Sequence, residues 1–240
     1  MSKDNGANHS SYSRVQTPVR FDSLCREISH AGRKYLDALA LAIEEAAPRP
    51  GCLVYVQAKK FVMQSDGLEP VIFSAIDVST HLQVAQAYLA MTMAAAVDFF
   101  DFVVRSFPFG VSEIRTLTEV PFHNPARVHS HHDFTSTLAR GGILHSIITN
   151  PSQDVLFSIV SKMSFDCVLE GSVAHESQGD LPRELARFLF FHNNFRSLPS
   201  LGGKTPLQKL RTFNEFAGIR FFDLRALSRR TNETNQHEGE

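Results

Sequence analysis

The sequence predicts an α/β fold: a mixed five-stranded sheet in a layered arrangement with helices on its faces. Three observations lead there. Three strand-like segments follow one another across hairpin-length turns, the hydrophobic period turns helical at Thr92, and helices and strands alternate afterwards. Hairpin turns can join only antiparallel strands, whereas strands separated by helices run parallel, so the order dictates a sheet that changes sense part-way.

Each element has its own signal. Leu24, Ile28, Tyr35, Leu39 and Ile43 recur at helical spacing and predict a helix within 21–46, stopped by Pro48-Arg49-Pro50-Gly51. Strands are expected at Cys52–Val56, Val71–Val78 and Leu82–Leu89, with turns at Gln64-Ser65-Asp66-Gly67 and Ser79-Thr80-His81. A helix from Thr92 to Arg105 ends at Phe107-Pro108-Phe109-Gly110. Then come a strand at Ile114–Leu117, a Pro- and His-rich loop at Pro121–His132, a helix at Asp133–Arg140 and a strand at Ile143–Thr149. A helix after Pro151, a polar loop at Ser172–Asp180 and a helix from Leu181 to about Asn194 complete the order β-β-β-α-β-α-β-α-α. By itself, that order leaves several mixed α/β architectures open.

Composition narrows the class. The chain has 240 residues, enough for one or two cored domains, with 43% hydrophobic and 20% charged residues. Twenty Phe and no Trp is an unusual aromatic usage, and most Phe fall inside apolar runs such as Val97–Val104. A net charge of -1 lacks the basic surplus usual in nucleic-acid binders, although a local patch can hide in a neutral total. Cys25, Cys52 and Cys167 form neither a disulfide framework nor a cysteine zinc site, and free thiols point to a reducing, cytoplasmic setting. The polar start lacks a signal peptide, and the apolar run Tyr88–Val97 is too short to span a bilayer, so no membrane association is expected. Disordered tails are expected at 1–20 and 228–240.

Several motifs then fall in one order. Pro50-Gly51-Cys52-Leu53-Val54-Tyr55-Val56-Gln57-Ala58-Lys59-Lys60 is similar to the P-G-x-L-V-H-x-D-x-K-K first strand of insertion-sequence transposases. Ser74-Ala75-Ile76-Asp77-Val78-Ser79-Thr80 resembles their A-I-D-x-x-[ST]-R turn. Ile114-Arg115-Thr116 opens what is T-D-N-G-x-E-F in the family, and Phe122 keeps its end. Phe134–Leu138 with Gly142-Ile143-Leu144-His145 is similar to F-x-x-x-L…G-I-x-H. Asn193-Asn194-Phe195-Arg196…Leu201-Gly202-Gly203-Lys204-Thr205-Pro206 resembles the closing Y-N-x-x-R-P-H-x-x-L-G-G-x-T-P. Each motif is weak alone; together, on the expected elements, they are specific for an integrase-type (DDE superfamily) transposase core.

That resemblance implies an RNase H-like layered fold over 49–213, an N-terminal helical segment at 21–48 and a C-terminal extension at 214–240. About 48 residues precede the core with one clear helix, so the family's upstream helix-turn-helix reader is not expected. It also implies DNA strand transfer by two divalent cations clamped between carboxylates. Carried over, the ligand positions fall at Gln57, Leu117 and Ile159, the last by aligning Ser152-Gln153-Asp154 with the family's P-Q-x-N-G-K-x-E segment. An amide and two aliphatic chains bring no negative charge to offset the dehydration of Mg²⁺, so a catalytically dead core needing no cofactor is expected.

The remaining candidates each have a bland reading. Asp77 is expected to cap a turn; with Glu119, Glu113 or Asp154 it is the outside candidate for a rewired Mg²⁺ or Mn²⁺ site that would retain strand transfer or nuclease activity. His123, His129, His131 and His132 suggest zinc, but a solvated loop without partner ligands is the simpler reading. Lys59, Lys60, Arg196 and Lys204 would position phosphates if DNA binding persists. Phe188, Phe190, Phe191 and Phe195 are expected in the core rather than as a base-stacking platform. The expected partners are non-specific DNA, a second copy, or an active transposase relative.

Overall fold

Helix α1 (Arg33–Ala46) buries Leu39 and Ile43, one turn apart, and stops at Ala47 before the Pro48-Arg49-Pro50 run. Gly51 then turns the chain with φ at +81°, and a Cβ there would meet the Gly110 carbonyl oxygen at 1.9 Å. Only glycine fits this crossing. From it, the computed structural model continues into a sheet; the residues it describes are 33–60, 69–118, 121–123, 133–151, 153–161 and 181–222.

Strand β1 (Val54–Lys60) pairs antiparallel with β2 (Val71–Asp77), which pairs antiparallel with β3 (Gln83–Tyr88). On its other side β1 runs parallel to β4 (Glu113–Leu117), and β4 runs parallel to β5 (Leu144–Ile148). The sheet order is β3-β2-β1-β4-β5, the mixed five-stranded arrangement expected. The one notable displacement is β1, expected at Cys52–Val56 but reaching Lys60. Its ladder to β2 runs on through Lys59↔Ile72 and Lys60↔Val71. Pairing, not apolarity, sets that end.

Helices α2 (Met93–Ser106) and α3 (Asp133–Arg140) link the later strands. The Thr92 side chain caps α2 by accepting from Ala95 N at 3.1 Å. The helix ends at Phe107, whose ψ of 140° is the extended conformation that a following proline imposes. Helix α3 closes on Gly142 in the left-handed region, with Ile143 N donating to Leu138 O. Helices α4 (Val155–Ser161), α5 (Leu181–Asn194) and α6 (Pro206–Leu210) follow, with 3-10 turns at Pro199–Leu201 and Asn214–Phe216.

Strand alternation sends two residue sets to two cores. Val54, Val56, Phe73, Ala75, Val84 and Ile114 pack with Phe99, Phe100 and Val103 of α2, and with Phe134 and Leu138 of α3. On the opposite face Tyr55, Ile76 and Ile148 pack with Leu39 and Ile43 of α1, and with Phe157 and Val160 of α4. Beside them, Ile72 and Ala85 pack with Leu181, Leu185 and Leu189 of α5. The segments expected to flank a core at 49–213 contribute to these same layers, since α1 joins one core and Phe222 the other.

Outside the described residues lie the expected tails 1–20 and 228–240, the 21–32 portion of the N-terminal helical segment, and the turn 64–67. So do Glu119, His129, His131, His132, the loop 172–180, Cys25 and Cys167.

Candidate functional site

The parallel register of β1 and β4 ends at Val56↔Thr116, and the next residues along are Gln57 and Leu117. The fold therefore brings two of the three implied ligand positions side by side on neighbouring strands. Gln57 is buried, opposite Ser74 of β2. Leu117 is half-buried and packs with Leu156 against the core of Tyr55 and Phe157. The third position, Ile159, lies on α4.

What occupies this corner is apolar packing with one anchored carboxylate. Asp154 precedes α4 and caps it, its Oδ1 accepting from Phe157 N at 2.8 Å. The Tyr55 hydroxyl donates to the same carboxylate, at 3.0 Å to Oδ1 and 3.1 Å to Oδ2. Burial and the neighbouring Asp154 charge both push the Tyr55 phenol well above its ordinary range, so it stays a donor. The Tyr55 ring meets Phe157 edge-on at 5.3 Å. Arg115, one residue from Thr116 on β4, donates through Nε to Glu113 at 2.6 Å. That hydrogen bond holds its guanidinium charged, above its ordinary value. An open cleft of about 630 Å³ lies beyond, lined by Arg115, Ser146, Asn150, Gln153, Asp154 and Leu156 among others.

Divalent-cation chemistry does not fit this donor set. At the positions the resemblance marks, Gln57 offers a neutral amide oxygen and Leu117 offers nothing. Among the described residues, no group of three His, Cys, Asp or Glu could hold a metal ion.

Asp77 is far from this corner. It pairs with Val54, three residues along β2 from Ser74, and alternation puts it on the opposite face. Its Oδ1 accepts from Gly51 N at 2.8 Å, and its Oδ2 accepts from Thr80 N at 2.8 Å and Thr80 Oγ1 at 2.6 Å. Burial raises the Asp77 carboxyl to about 6 against the pull of those bonds. It is a turn anchor, and geometry separates it from Glu113 and Asp154.

The expected phosphate-facing cations divide. Lys59, Lys60 and Lys204 are exposed, and Lys60 lies 4.0 Å from Glu69. Arg196 is only 8% exposed, with Nη1 3.3 Å from His192 Nδ1. The closing motif turns Arg196 inward, unlike the three lysines named with it as phosphate contacts. The same motif clamps the edge strand, since Asn193 accepts from Gln83 N at 2.9 Å and donates to Gln83 O at 2.8 Å. Asn194 does likewise for Phe222, accepting from its N and donating to its O, both at 2.9 Å. His123 is half-buried, and Cys52 carries a free thiol. His145 bridges β4 and α3, its ring nitrogens 2.9 Å from Thr116 Oγ1 and from Thr135 Oγ1.

The aromatic cluster also departs from expectation. Phe188 and Phe190 are half-buried, but Phe191 and Phe195 are each 54% exposed. Phe191 on the helix and Phe195 just past its end are turned to solvent, while Leu185, Leu189 and Asn193 face the sheet.

No protein-family model matches the sequence, and no curated protein sequence matches it. Among solved structures, the chain superimposes on a chain of the simian T-cell lymphotropic virus intasome in complex with PP2A regulatory subunit B56 gamma. The TM-score is 0.52 at 15% identity, covering 68% of this chain and 55% of that one. The likeness is one of fold: the mixed five-stranded sheet and its flanking helices are shared with that intasome chain. Similar too are the BIV integrase catalytic core domain, with a TM-score of 0.48 at 14% identity over 69% of this chain and 98% of that one. The HTLV-2 integrase catalytic core domain in complex with magnesium (dimeric form) gives 0.46 at 14% identity over 68% and 97%. The integrase-core likeness carries the architecture alone, and the chemistry must come from this chain's own residues. Sequence reading missed the Tyr55–Asp154 tie and the Arg115–Glu113 pair. Strand alternation over Glu113, Arg115 and Leu117 was the available signal that all three share the face of Gln57. Among the described residues no helix is long and apolar enough to cross a membrane.

Proposed function

We propose that this chain is a non-catalytic integrase-fold core that acts through contacts with nucleic acid or protein rather than by transferring DNA strands. One observation carries the reading. Gln57 and Leu117 stand side by side where the resemblance calls for two carboxylates, and the corner is closed by Leu117, Leu156 and the Tyr55–Asp154 bond. In-line phosphoryl displacement needs cations that activate the attacking oxygen and stabilise the leaving one. A neutral amide beside an aliphatic side chain cannot hold them. Partners that suit the reading are nucleic acid, a second copy of the chain, or an active core of the same fold whose assembly it would block.

The test is thermal unfolding with and without Mg²⁺ or Mn²⁺, followed by incubation with plasmid DNA. A cation at a hundredfold over its Kd stabilises a fold by about 2.7 kcal/mol, an easily read shift. The expected result is no shift and no nicking. Mn²⁺-dependent nicking that disappears on Glu119→Ala or Asp154→Ala would overturn the proposal in favour of a rewired acidic site.

A further inference from the structure

Phe190 and Phe191 of α5 form a row of rings with Phe195 and Phe221 of the chain beyond it. Phe191 lies 6.4 Å from Phe195, Phe195 lies 5.7 Å from Phe190, and Phe190 lies 6.4 Å from Phe221. Phe191 and Phe195 are each 54% exposed and Phe221 63%, so three of the four residues are more than half exposed to solvent. Contiguous exposed aromatic area of this kind marks a binding surface. The α5 helix packs on β3, at one edge of the sheet, while the cleft beside Arg115 lies at β4 and β5, toward the other. This surface is therefore separate from the corner of Gln57 and Leu117.

Charge indicates what covers it. The chain as a whole is at -1, yet Leu181–Phe222 holds seven Lys and Arg, all but the buried Arg196 reaching the surface, against two Glu. Arg187 stands one turn before Phe190 and Phe191 with its side chain 70% exposed; its Nη1 donates to Glu184 at 2.8 Å, an exposed pair that a phosphate can exchange, and the exposed Arg220 adjoins Phe221. Two copies of so basic a segment repel one another, which disfavours a second copy of this chain as the occupant. A polyanion is attracted. Among polyanions, single-stranded nucleic acid offers an unpaired π-face at each unit for rings to stack on, whereas a duplex hides its faces and an acidic peptide has none.

We infer that the Phe190–Phe191–Phe195–Phe221 row, flanked by Arg187 and Arg220, is a stacking platform for single-stranded nucleic acid. The inference rests on reading the chain as an interaction module, and supplies its ligand class. Rings supply sequence-tolerant stacking while the arginines engage phosphates, so affinity falls as salt rises.

The experiment is fluorescence anisotropy of a labelled oligothymidylate of about 20 nucleotides, long enough for one such site. The full-length chain is titrated against it, and against a duplex of equal length, at several salt concentrations. The expected result is tighter binding of the single strand than of the duplex. The double variant Phe191→Leu, Phe195→Leu, still apolar but without π-faces, should bind about tenfold more weakly or worse. Phe191→Tyr with Phe195→Tyr should retain binding. The proposal is overturned by no binding at low salt, by equal affinity for strand and duplex, or by equal binding of the Leu variant. It is also overturned if the wild type and Leu variant self-associate through this row in sedimentation while ignoring the strand. Metal-dependent cutting of a bound strand would sink the non-catalytic reading and leave the platform standing. An inert protein that ignores the strand would sink the platform alone.

Discussion

Gly51 and Asp77 meet at the point where β1 begins and β2 ends, and each depends on the other. Gly51 N donates to Asp77 Oδ1, while Ser112 N donates to Gly51 O at 2.8 Å, tying β4 to the same spot. Asp77 also organises the β2–β3 turn through Thr80 and through its own carbonyl, which accepts from His81 N at 2.8 Å. His81 sits at φ 58°, a region that non-glycine residues occupy at a cost of about 1 kcal/mol or more. Replacing Asp77 with Ala strands two buried backbone donors, each worth about 1–3 kcal/mol. A loss of about 3 kcal/mol is expected, read as a lower urea midpoint with unchanged slope. Gly51→Ala should cost at least as much, because the added carbon strikes backbone rather than a side chain that could turn away. A change confined to metal response, with stability intact, would show the anchoring account of Asp77 to be wrong.

At the scale of elements, the joint between α5 and β3 is unusual because it buries two imidazoles beside an arginine. His192 Nε2 lies 3.2 Å from the His81 carbonyl and its Nδ1 faces Arg196, so the partners assign the proton to Nε2 and leave Nδ1 as acceptor. Burial first, then the positive charge of Arg196, holds His192 down at about 3; burial, Lys209 and Arg196 hold His81 at about 4. Both ordinarily titrate at 6.5, so around pH 5 the unfolded chain binds two protons there that the folded chain does not. Asp77 opposes this, because its carboxyl, raised from 3.8 to about 6, binds a proton in the folded chain that the unfolded chain has released. Unfolding near pH 5 should therefore take up about one net proton, so stability rises by about 1.4 kcal/mol per pH unit. Asp77→Asn removes the opposing group and should roughly double the slope, even though the variant is less stable overall. Urea titrations at half-unit steps from pH 4 to 6.5 measure both slopes, and a flat profile would exclude the buried-imidazole account. Little of this joint was legible beforehand. Period and turn residues gave most strands and helices within a residue or two, because Pro48, Gly51, Pro108 and Gly142 punctuate the chain chemically, while the reach of β1 to Lys60 and the short α6 escaped them. The inward turn of Arg196 and the outward turn of Phe191 and Phe195 depend on which face of α5 meets β3, and only tertiary packing decides that.

Across the whole molecule, the chain after α5 works as a clasp. Helix α5 belongs to the layer on one face of the sheet, with Leu181, Leu185 and Leu189 on Ile72 and Ala85. The chain then passes the β3 edge, where Asn193 pairs with Gln83. It delivers Leu207, Leu210 and Phe222 to the core on the other face, among Phe73, Phe99 and Phe107. Thr205 and Gln208 start α6 with a capping box, and Asn194 ties α5 directly to Phe222. The segment closes one layer and is hydrogen-bonded at Phe222, through Asn194, to the helix that closes the other, so the two faces should unfold together even though the chain is longer than most two-state domains. The absence of Trp offers a clean way to see it, because a single introduced Trp reports without background. Phe188→Trp places the reporter on the α5 layer, and Phe216→Trp places it on the opposite one, both at half-buried sites that tolerate the larger ring. Urea unfolding followed by fluorescence in each variant, with backbone circular dichroism alongside, should give coincident transitions. If Phe216→Trp reports an earlier transition than Phe188→Trp, the clasp opens by itself and the two faces are not one cooperative unit.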